Sequence, residues 1–324
     1  MTRIRGMASD SPPTAPPPRP GRRRKTYPRG HPIYWPTWVG LGVFRALNLL
    51  PWSLQRGLAA VLGTVIYYLI PIRRRVVLIN LGLAFPDKSV AERRQIARAH
   101  YQSLALGIFE TCAAWWSPSH RLPPHRIVGL DHLHTAAAAG AGALVVTGHV
   151  TLLELGARII NEQVEFNALY RDPNNPVVAG IMRRSREHHL KRAIHFDDLR
   201  GLLRALKDGG LVWYAPDQGK QTKMSEILPF FGEPAITNVA TSRIAQMSGC
   251  RVIPYFAHRQ ADGTYQLEVF PPWENFPSGD HTADALRVNH FIEHQVQRAP
   301  EQYFWVHQRY KRRGPGYPDV YARR

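Results

Sequence analysis

Residues 142–161 constrain the fold most strongly, because an apolar strand there runs directly into a turn and a helix. Residues 142–146 are a short, continuous apolar run of the kind that fills a buried strand, and residues 151–161 carry apolar side chains at helical spacing. His149 lies in the turn between them. Ligands bind at the carboxyl ends of strands in open α/β sheets, so His149 is a candidate functional residue.

The rest of the chain continues this alternation of strands and helices. The pattern predicts a helix at 91–116, a strand at 127–131, a helix at 135–143, a strand at 166–170, a helix from about 176, a strand at 211–215, a helix at 235–248, strands at 251–257 and 265–270 and a helix at 281–298. The expected fold is therefore α/β, with a mixed, mostly parallel sheet flanked by helices.

The N-terminal part of the chain differs from the rest in composition. Residues 1–31 are rich in proline and arginine with almost nothing to bury, which predicts a disordered basic arm. Residues 32–75 are mostly apolar, and their tryptophans and tyrosines are typical of a headgroup interface. This segment is predicted to be a helical membrane anchor, with an ordinary pair of core helices as the open alternative. Residues 76–316 form the main domain and residues 317–324 a tail.

The charge balance indicates anionic partners. The chain has 42 basic and 24 acidic residues, a net charge of +18, and 35 of the basic residues are arginine. The planar guanidinium of arginine suits phosphate groups, so anionic membrane lipids, a phosphorylated substrate or an acidic protein are expected partners. The basic arm runs directly into an apolar segment, which favours membrane phosphates, and no nucleic-acid partner is predicted.

Glu154 has two interpretations. His149 precedes the helix, so its ring can fold back over the first turn, where the Glu154 carboxylate would orient it as a general base. Residues 151–154 also match the S/T-x-x-E capping box, in which Glu154 closes the helix N-terminus and does no chemistry. The sequence leaves both open.

The chain resembles a known family at several motifs. H-x-x-x-x-E, formed by His149 and Glu154, is similar to the histidine-acid motif of the glycerolipid and lipid A acyltransferases, and TLLELGAR resembles the lauroyl-type lipid A biosynthesis acyltransferases in particular. Four more stretches occur in matching order: HPIYWPTW, YRDPNNP, WYAPDQ and APEQYFWVHQRYKRR. The resemblance covers residues 31–316.

This resemblance implies a reaction and a location. It implies transfer of a fatty acyl chain from acyl carrier protein to a hydroxyl of a Kdo-bearing lipid A precursor, at the cytoplasmic face of the inner membrane. His149 would be the general base and Glu154 its orienting partner. Acyl carrier protein is acidic and the precursor carries phosphates, and both suit a basic protein.

The resemblance also implies substrate-binding residues. Tyr170, Arg171 and Asn175 correspond to the active-site cleft, where Arg171 is expected to bind a phosphate or the acyl donor. Asp217 follows a predicted strand and is either a turn cap or a substrate contact. Phe230 and Phe231 would line an acyl-chain pocket, although core packing explains them equally well.

No metal or bound cofactor is expected. A thioester is already activated, and the sequence contains neither G-x-S-x-G nor H-E-x-x-H. Cys112 and Cys250 lack the spacing of a metal site and are typical of a reducing compartment.

Two other functions would explain part of the sequence. A glycerolipid acyltransferase of the lysophosphatidic-acid type would share His149, but YRDPNNP and PEQYFWVHQRYK speak against it. A nonenzymatic basic membrane or nucleic-acid binding protein would explain the charge and leave the ordered motifs unexplained.

Overall fold

A computed structural model describes residues 27–189, 192–219, 221–222 and 224–322. The strands are β1 His125–Val128, β2 Ala143–Val146, β3 Phe166–Tyr170, β4 Arg192–His195, β5 Leu211–Tyr214, β6 Ser225–Phe230, β7 Glu233–Asn238, β8 Arg251–Arg259 and β9 Tyr265–Val269. The helices are α1 Trp35–Leu47, α2 Trp52–Leu69, α3 Pro71–Ala84, α4 Val90–Trp116, α5 Leu130–Ala138, α6 Leu153–Asn161, α7 Pro176–His189, α8 Leu199–Lys207, α9 Ala240–Ser248 and α10 His281–Arg298.

In the described part of the chain, seven strands form one sheet in the order β1-β9-β8-β2-β5-β3-β4. Every neighbouring pair is parallel except β8 and β9, which are antiparallel. Strand β2 lies in the middle, and all four of its residues are buried. The prediction of a mixed, mostly parallel sheet flanked by helices is therefore confirmed.

Three strands were not predicted from the sequence. β4 has four residues, too few for a clear pattern. β6 and β7 form a separate antiparallel hairpin in which Pro229 faces Pro234. The predicted helix at 235–248 is wrong over its first residues, because β7 continues to Asn238 and α9 begins at Ala240.

The central helix α4 spans the predicted 91–116 segment. Ser89 caps its first turn by accepting a hydrogen bond from the Glu92 amide, and the Glu92 carboxylate accepts one from the Ser89 amide at 2.7 Å. This reciprocal capping satisfies two amides that a helix N-terminus otherwise leaves unpaired. Further along, α4 buries Tyr101 and Phe109.

The N-terminal helices pack on α4 at close range. A Cβ placed on Gly63 of α2 would lie 2.4 Å from the Cα of Gln102 in α4, so only glycine permits this approach of the two backbones. Val77 and Leu81 of α3 are fully buried in the main core. The predicted domain boundary between residues 75 and 76 lies within α3.

The structure describes the two chain ends only in part. Of the predicted basic arm, residues 1–26 lie outside the described residues. In the predicted tail, Tyr321 is buried and its hydroxyl donates a hydrogen bond to Asn80 of α3, whereas residues 317–319 and 322 are exposed. Residues 323–324 lie outside the described part.

An exposed apolar surface covers the N-terminal helices. Among the described residues, 15 of the 23 large apolar side chains that are exposed lie between residues 27 and 72. No single described helix is both long and apolar enough to cross a bilayer, whereas α2 and α3 together pass that test with a bend of 95° between them. The membrane anchor therefore stays a prediction.

The α2–α4 contact gives a stability prediction. We expect Gly63→Ala to lower the free energy of unfolding by about 1–3 kcal/mol, because the new methyl group would overlap the α4 backbone. Gly57 is the matched control on the same helix, since no atom lies within 4 Å of the position of its Cβ. Gly57→Ala should raise the free energy of unfolding by up to about 1 kcal/mol through helix propensity. Urea denaturation followed by circular dichroism measures both, and equal effects would contradict the close-packing interpretation.

Candidate active site

His149 and Asp217 follow two adjacent parallel strands at equivalent positions. Val146 of β2 pairs in register with Tyr214 of β5, and each of the two polar residues comes three positions later. The pairing brings together residues that are 68 positions apart in sequence. His149 Nδ1 lies 2.5 Å from Asp217 Oδ1, which is a hydrogen bond between the ring and the carboxylate. The carboxyl ends of the central strands therefore hold a histidine–aspartate pair.

Asp217 is almost fully buried, at 2% exposure, and accepts three hydrogen bonds. Besides the ring of His149, the His149 amide donates to Oδ2 at 2.9 Å and the Tyr303 hydroxyl donates to the same oxygen at 2.9 Å. Burial alone would raise the pKa of Asp217, but the charge and hydrogen bonds of His149, with Tyr303, lower that pKa to about 2. Asp217 is thus a carboxylate at neutral pH.

The same contact sets the basicity of His149. Burial alone would lower the pKa of its imidazole, but the negative charge of Asp217 and the hydrogen bond between them raise that pKa above its ordinary value. With Nδ1 bound to the carboxylate, Nε2 is the ring nitrogen that remains to accept a proton. This arrangement is suited to general base catalysis.

The segment 299–304 holds the His149 turn in place. Val150 and Tyr303 form an isolated antiparallel bridge, the Phe304 amide donates to the His149 carbonyl at 3.0 Å, and the Thr151 amide donates to the Gln302 carbonyl at 2.9 Å. The sequence predicted neither these backbone contacts nor the hydrogen bond from Tyr303 to Asp217. The APEQYFWVHQRYKRR motif contains these residues, but the motif alone does not indicate which of its side chains face His149.

A buried ion pair supports the turn through Thr151. Arg259 Nε donates to Glu110 Oε1 at 2.5 Å, and Arg259 Nη2 donates to the Thr151 hydroxyl at 2.7 Å. Tyr265 donates a further hydrogen bond to Glu110 at 2.6 Å. Buried charges are stable only when they are paired and hydrogen-bonded, and both conditions are met here.

Glu154 does not occupy the position that the sequence suggested. Its carboxylate forms an ion pair with Arg186 of α7 and accepts a hydrogen bond from Trp115 Nε1 at 3.3 Å. The structure pairs His149 with Asp217 instead, because the strand register brings Asp217 directly beside the ring. The capping-box interpretation is also wrong, since α6 begins at Leu153 and has no side-chain cap.

A cavity of about 1400 Å³ opens beside His149. Glu154, Tyr170 and Arg171 line it together with His149, so these four residues lie around one cavity. Apolar side chains from several elements form much of its wall, including Phe166, Leu202, Trp213, Ile244 and Met247. Its basic lining residues include Arg73, Arg186, Arg243, Lys311 and Arg312.

Arg171 and Asn175 have different environments. The Arg171 guanidinium is exposed and lies 5.3 Å from the ring centroid of Phe196, at the cavity. Asn175 caps α7 instead: its Oδ1 accepts a hydrogen bond from the Val177 amide at 3.0 Å, and its Nδ2 donates to Thr37 at 2.9 Å. In the described structure Asn175 does not line the large cavity.

Phe230 and Phe231 pack in the core. Phe230 is fully buried, 6.0 Å from the ring of Tyr303, and Phe231 packs against Phe85 and Trp305. The described residues that line the large cavity include neither of these phenylalanines. Of the two interpretations that the sequence allowed, the structure favours core packing.

The sequence of the chain is similar to one family of known proteins. Residues 23–312 match the sequence profile described as bacterial lipid A biosynthesis acyltransferase. A lipid A biosynthesis lauroyltransferase and a palmitoleoyltransferase, both of Escherichia coli (strain K12), are each 35% identical to this chain, covering 90% of it and 96% of the relative. The crystal structure of a 1-acyl-sn-glycerophosphate (LPA) acyltransferase from Thermotoga maritima aligns with 76% of this chain and 97% of its own, at 15% identity and a TM-score of 0.37.

The first prediction from this site concerns the basicity of His149. We expect its pKa in the wild-type protein to exceed the ordinary value of about 6.5. Asp217→Asn should bring it below that value, because the carboxylate that favours the charged ring is lost while burial remains. Glu154→Gln should leave it unchanged. NMR titration of ring-labelled histidine measures the three values, and a His149→Gln variant assigns the resonance. A larger change of the His149 pKa in Glu154→Gln than in Asp217→Asn would support the pairing of His149 with Glu154 that the sequence suggested.

The second prediction concerns Tyr303. In Tyr303→Phe, Asp217 loses one donor, so its charge acts more strongly on the imidazolium and the pKa of His149 should rise further. The pKa of His149 should thus shift upwards in Tyr303→Phe and downwards in Asp217→Asn. Opposite shifts in the same titration would show that Tyr303 acts electrostatically and not only by packing. An unchanged pKa in a folded Tyr303→Phe protein would argue for packing alone.

Proposed function

Since the chain belongs to the bacterial lipid A biosynthesis acyltransferase family, we propose that it transfers a fatty acyl chain from an acyl carrier protein thioester to a hydroxyl of a Kdo-bearing lipid A precursor. The observation that carries the proposal is the His149–Asp217 pair at the wall of the large cavity. It supplies a neutral imidazole that a buried carboxylate orients and makes more basic, which is what deprotonation of an alcohol requires.

The proposed reaction proceeds by direct transfer. His149 Nε2 takes the proton of the acceptor hydroxyl while its oxygen attacks the thioester carbonyl, and Asp217 stabilises the imidazolium that forms. The tetrahedral intermediate then collapses, the carbon–sulfur bond breaks, and the imidazolium returns the proton to the leaving thiolate. The ester is formed, the thiol is released, and the base is regenerated.

The size and lining of the cavity support two substrates. Pockets for one small ligand measure about 300–1,000 Å³, and this cavity is larger, at about 1400 Å³. Its apolar walls suit acyl chains, while a hydroxyl must approach His149 at its polar part. A long apolar donor chain and a bulky acceptor therefore both have room.

The basic residues around the cavity suit anionic substrates. Arg171, Arg243, Lys311 and Arg312 are exposed where they line it. Guanidinium groups bind phosphate by charge-assisted, often bidentate hydrogen bonds, which fits a phosphorylated acceptor. The same positive surface would attract acidic acyl carrier protein.

Glu154 has a proposed role in substrate binding. Its ion pair with Arg186 joins α6 to α7 across the cavity wall, and both side chains are largely buried. We infer that it positions Arg186 for the substrate, so Glu154→Gln should raise KM more than it lowers kcat.

The proposed location is the cytoplasmic face of the inner membrane. The exposed apolar surface of residues 27–72 supports attachment to a bilayer, and the exposed Arg56 within it suits anionic lipid headgroups. Because α2 and α3 also pack on the core, the membrane surface and the acyltransfer cavity would belong to one folded unit.

The function is tested with purified full-length protein in mixed detergent micelles. We expect it to acylate a Kdo-bearing tetraacyl lipid A precursor from acyl carrier protein thioesters, with rates that fall as salt rises because electrostatic attraction is screened. Product mass spectrometry measures the transfer. Transfer to glycerol phosphate acceptors alone would contradict the proposal.

Active-site variants test the roles within that reaction. His149→Ala and Asp217→Asn should each lower kcat by about 10²- to 10⁴-fold. In the wild type, kcat/KM should rise with pH through the raised pKa of His149, since only the neutral ring accepts a proton. In Asp217→Asn the kcat/KM of the residual activity should rise at a lower pH, because the pKa of His149 is lower in this variant. Near-normal turnover by folded Asp217→Asn protein would remove Asp217 from the mechanism.

A further inference from the structure

A second cavity, of about 430 Å³, lies between α1, the end of α4 and α7. Three tryptophans and three basic residues face it: Trp38, Trp115, Trp116, Arg45, Arg184 and His188. Its volume is within the range of small-ligand sites. Nothing in the proposed acyl transfer uses this space.

Two hydrogen bonds hold the start of α1, which forms one side of this cavity. Asn175 Nδ2, just before α7, donates to Thr37 Oγ1 at 2.9 Å, and Trp38 Nε1 donates to the Arg29 carbonyl at 3.0 Å. Gly42 of α1 faces the opening without a side chain, and no atom lies within 4 Å of the position its Cβ would take.

The charge of this cavity is uncompensated. Among the described residues no carboxylate lines it, and neither Arg45 nor Arg184 forms an ion pair there. The neighbouring arginines of α7 behave differently, since Arg183 pairs with Asp172 and Arg186 with Glu154. The Arg45 guanidinium instead lies 5.5 Å from the ring centroid of Trp116. Cations beside aromatic walls suit a ligand with an anionic group attached to an apolar one.

We propose that this cavity binds an anionic glycerophospholipid, with its phosphate at Arg45 and Arg184 and an acyl chain against the tryptophan rings. The adjoining surface of α1 favours a membrane lipid as the occupant: Trp35, Val39 and Val43 are 60%, 66% and 50% exposed. These apolar side chains would bring the cavity to the bilayer surface, where phosphate and acyl groups occur together.

The bound lipid would lie directly behind the wall of the large cavity. Trp115 and Ser185 line both cavities, and Trp115 Nε1 also donates to Glu154. A lipid packed against Trp115 would restrict its ring and so stabilise the Glu154–Arg186 wall. Lipid binding is measured in the absence of acyl transfer, so a failure of this proposal would be distinguishable from a failure of the proposed reaction.

Native mass spectrometry of the full-length protein in detergent tests the site. We expect dioleoyl phosphatidylglycerol to bind with about tenfold or higher affinity than dioleoyl phosphatidylcholine, whose headgroup has no net charge. The double variant Arg45→Gln/Arg184→Gln should lose this preference. Arg183→Gln, next in sequence on α7 but outside the cavity lining, should keep it. Equal retention of phosphatidylglycerol by the double variant and the wild type would overturn the proposal.

A blocking variant supplies an independent readout. Gly42→Phe should fill the cavity and abolish the preferred phosphatidylglycerol adduct, whereas Gly40→Phe, which also meets open space, should retain it. Thermal melting checks that both phenylalanine variants fold. If one of them does not fold, the arginine variants alone test the proposal. Equal binding by the two folded phenylalanine variants would overturn the proposal. So would stoichiometric displacement of phosphatidylglycerol by the lipid A precursor, which would assign the cavity to the acceptor.

Discussion

The buried carboxylate of Asp217 is the interaction on which the site depends. An isolated ionised group inside a protein is very costly, and it is tolerated only when hydrogen bonds and an opposite charge replace water. Asp217 obtains these from His149 and Tyr303, which belong to two distant segments of the chain. One group therefore fixes the β2 turn, joins it to the 299–304 segment and sets the basicity of the ring.

A second buried carboxylate, Glu110, supports the same turn from the α4 side. Its partner Arg259 also holds the Thr151 hydroxyl, so α4, β8 and the His149 turn meet at one ion pair. Removing one member of such a pair typically costs about 3–5 kcal/mol, because the remaining charge stays buried. Glu110 and Arg259 thus contribute to the position of His149 without lining the large cavity.

Helix α7 connects the two cavities. Arg184 and Arg186 are two positions apart on it, which separates their directions by about 200°. Arg186 lines the large cavity and Arg184 the second one. The basic run of this helix therefore serves two different sites, a division that charge counting along the sequence does not reveal.

The sequence by itself determined the elements whose pattern is local. The apolar runs of β2, β3, β5, β8 and β9 and the periodicity of α4 and α10 predicted these elements because burial leaves a pattern within each segment. The strand–turn–helix context likewise identified His149. Only the tertiary structure decided its partner: Glu154 is five residues away, but Asp217 is brought to the ring by the register of β2 with β5. Such a register depends on contacts between distant segments, and local patterns do not encode it.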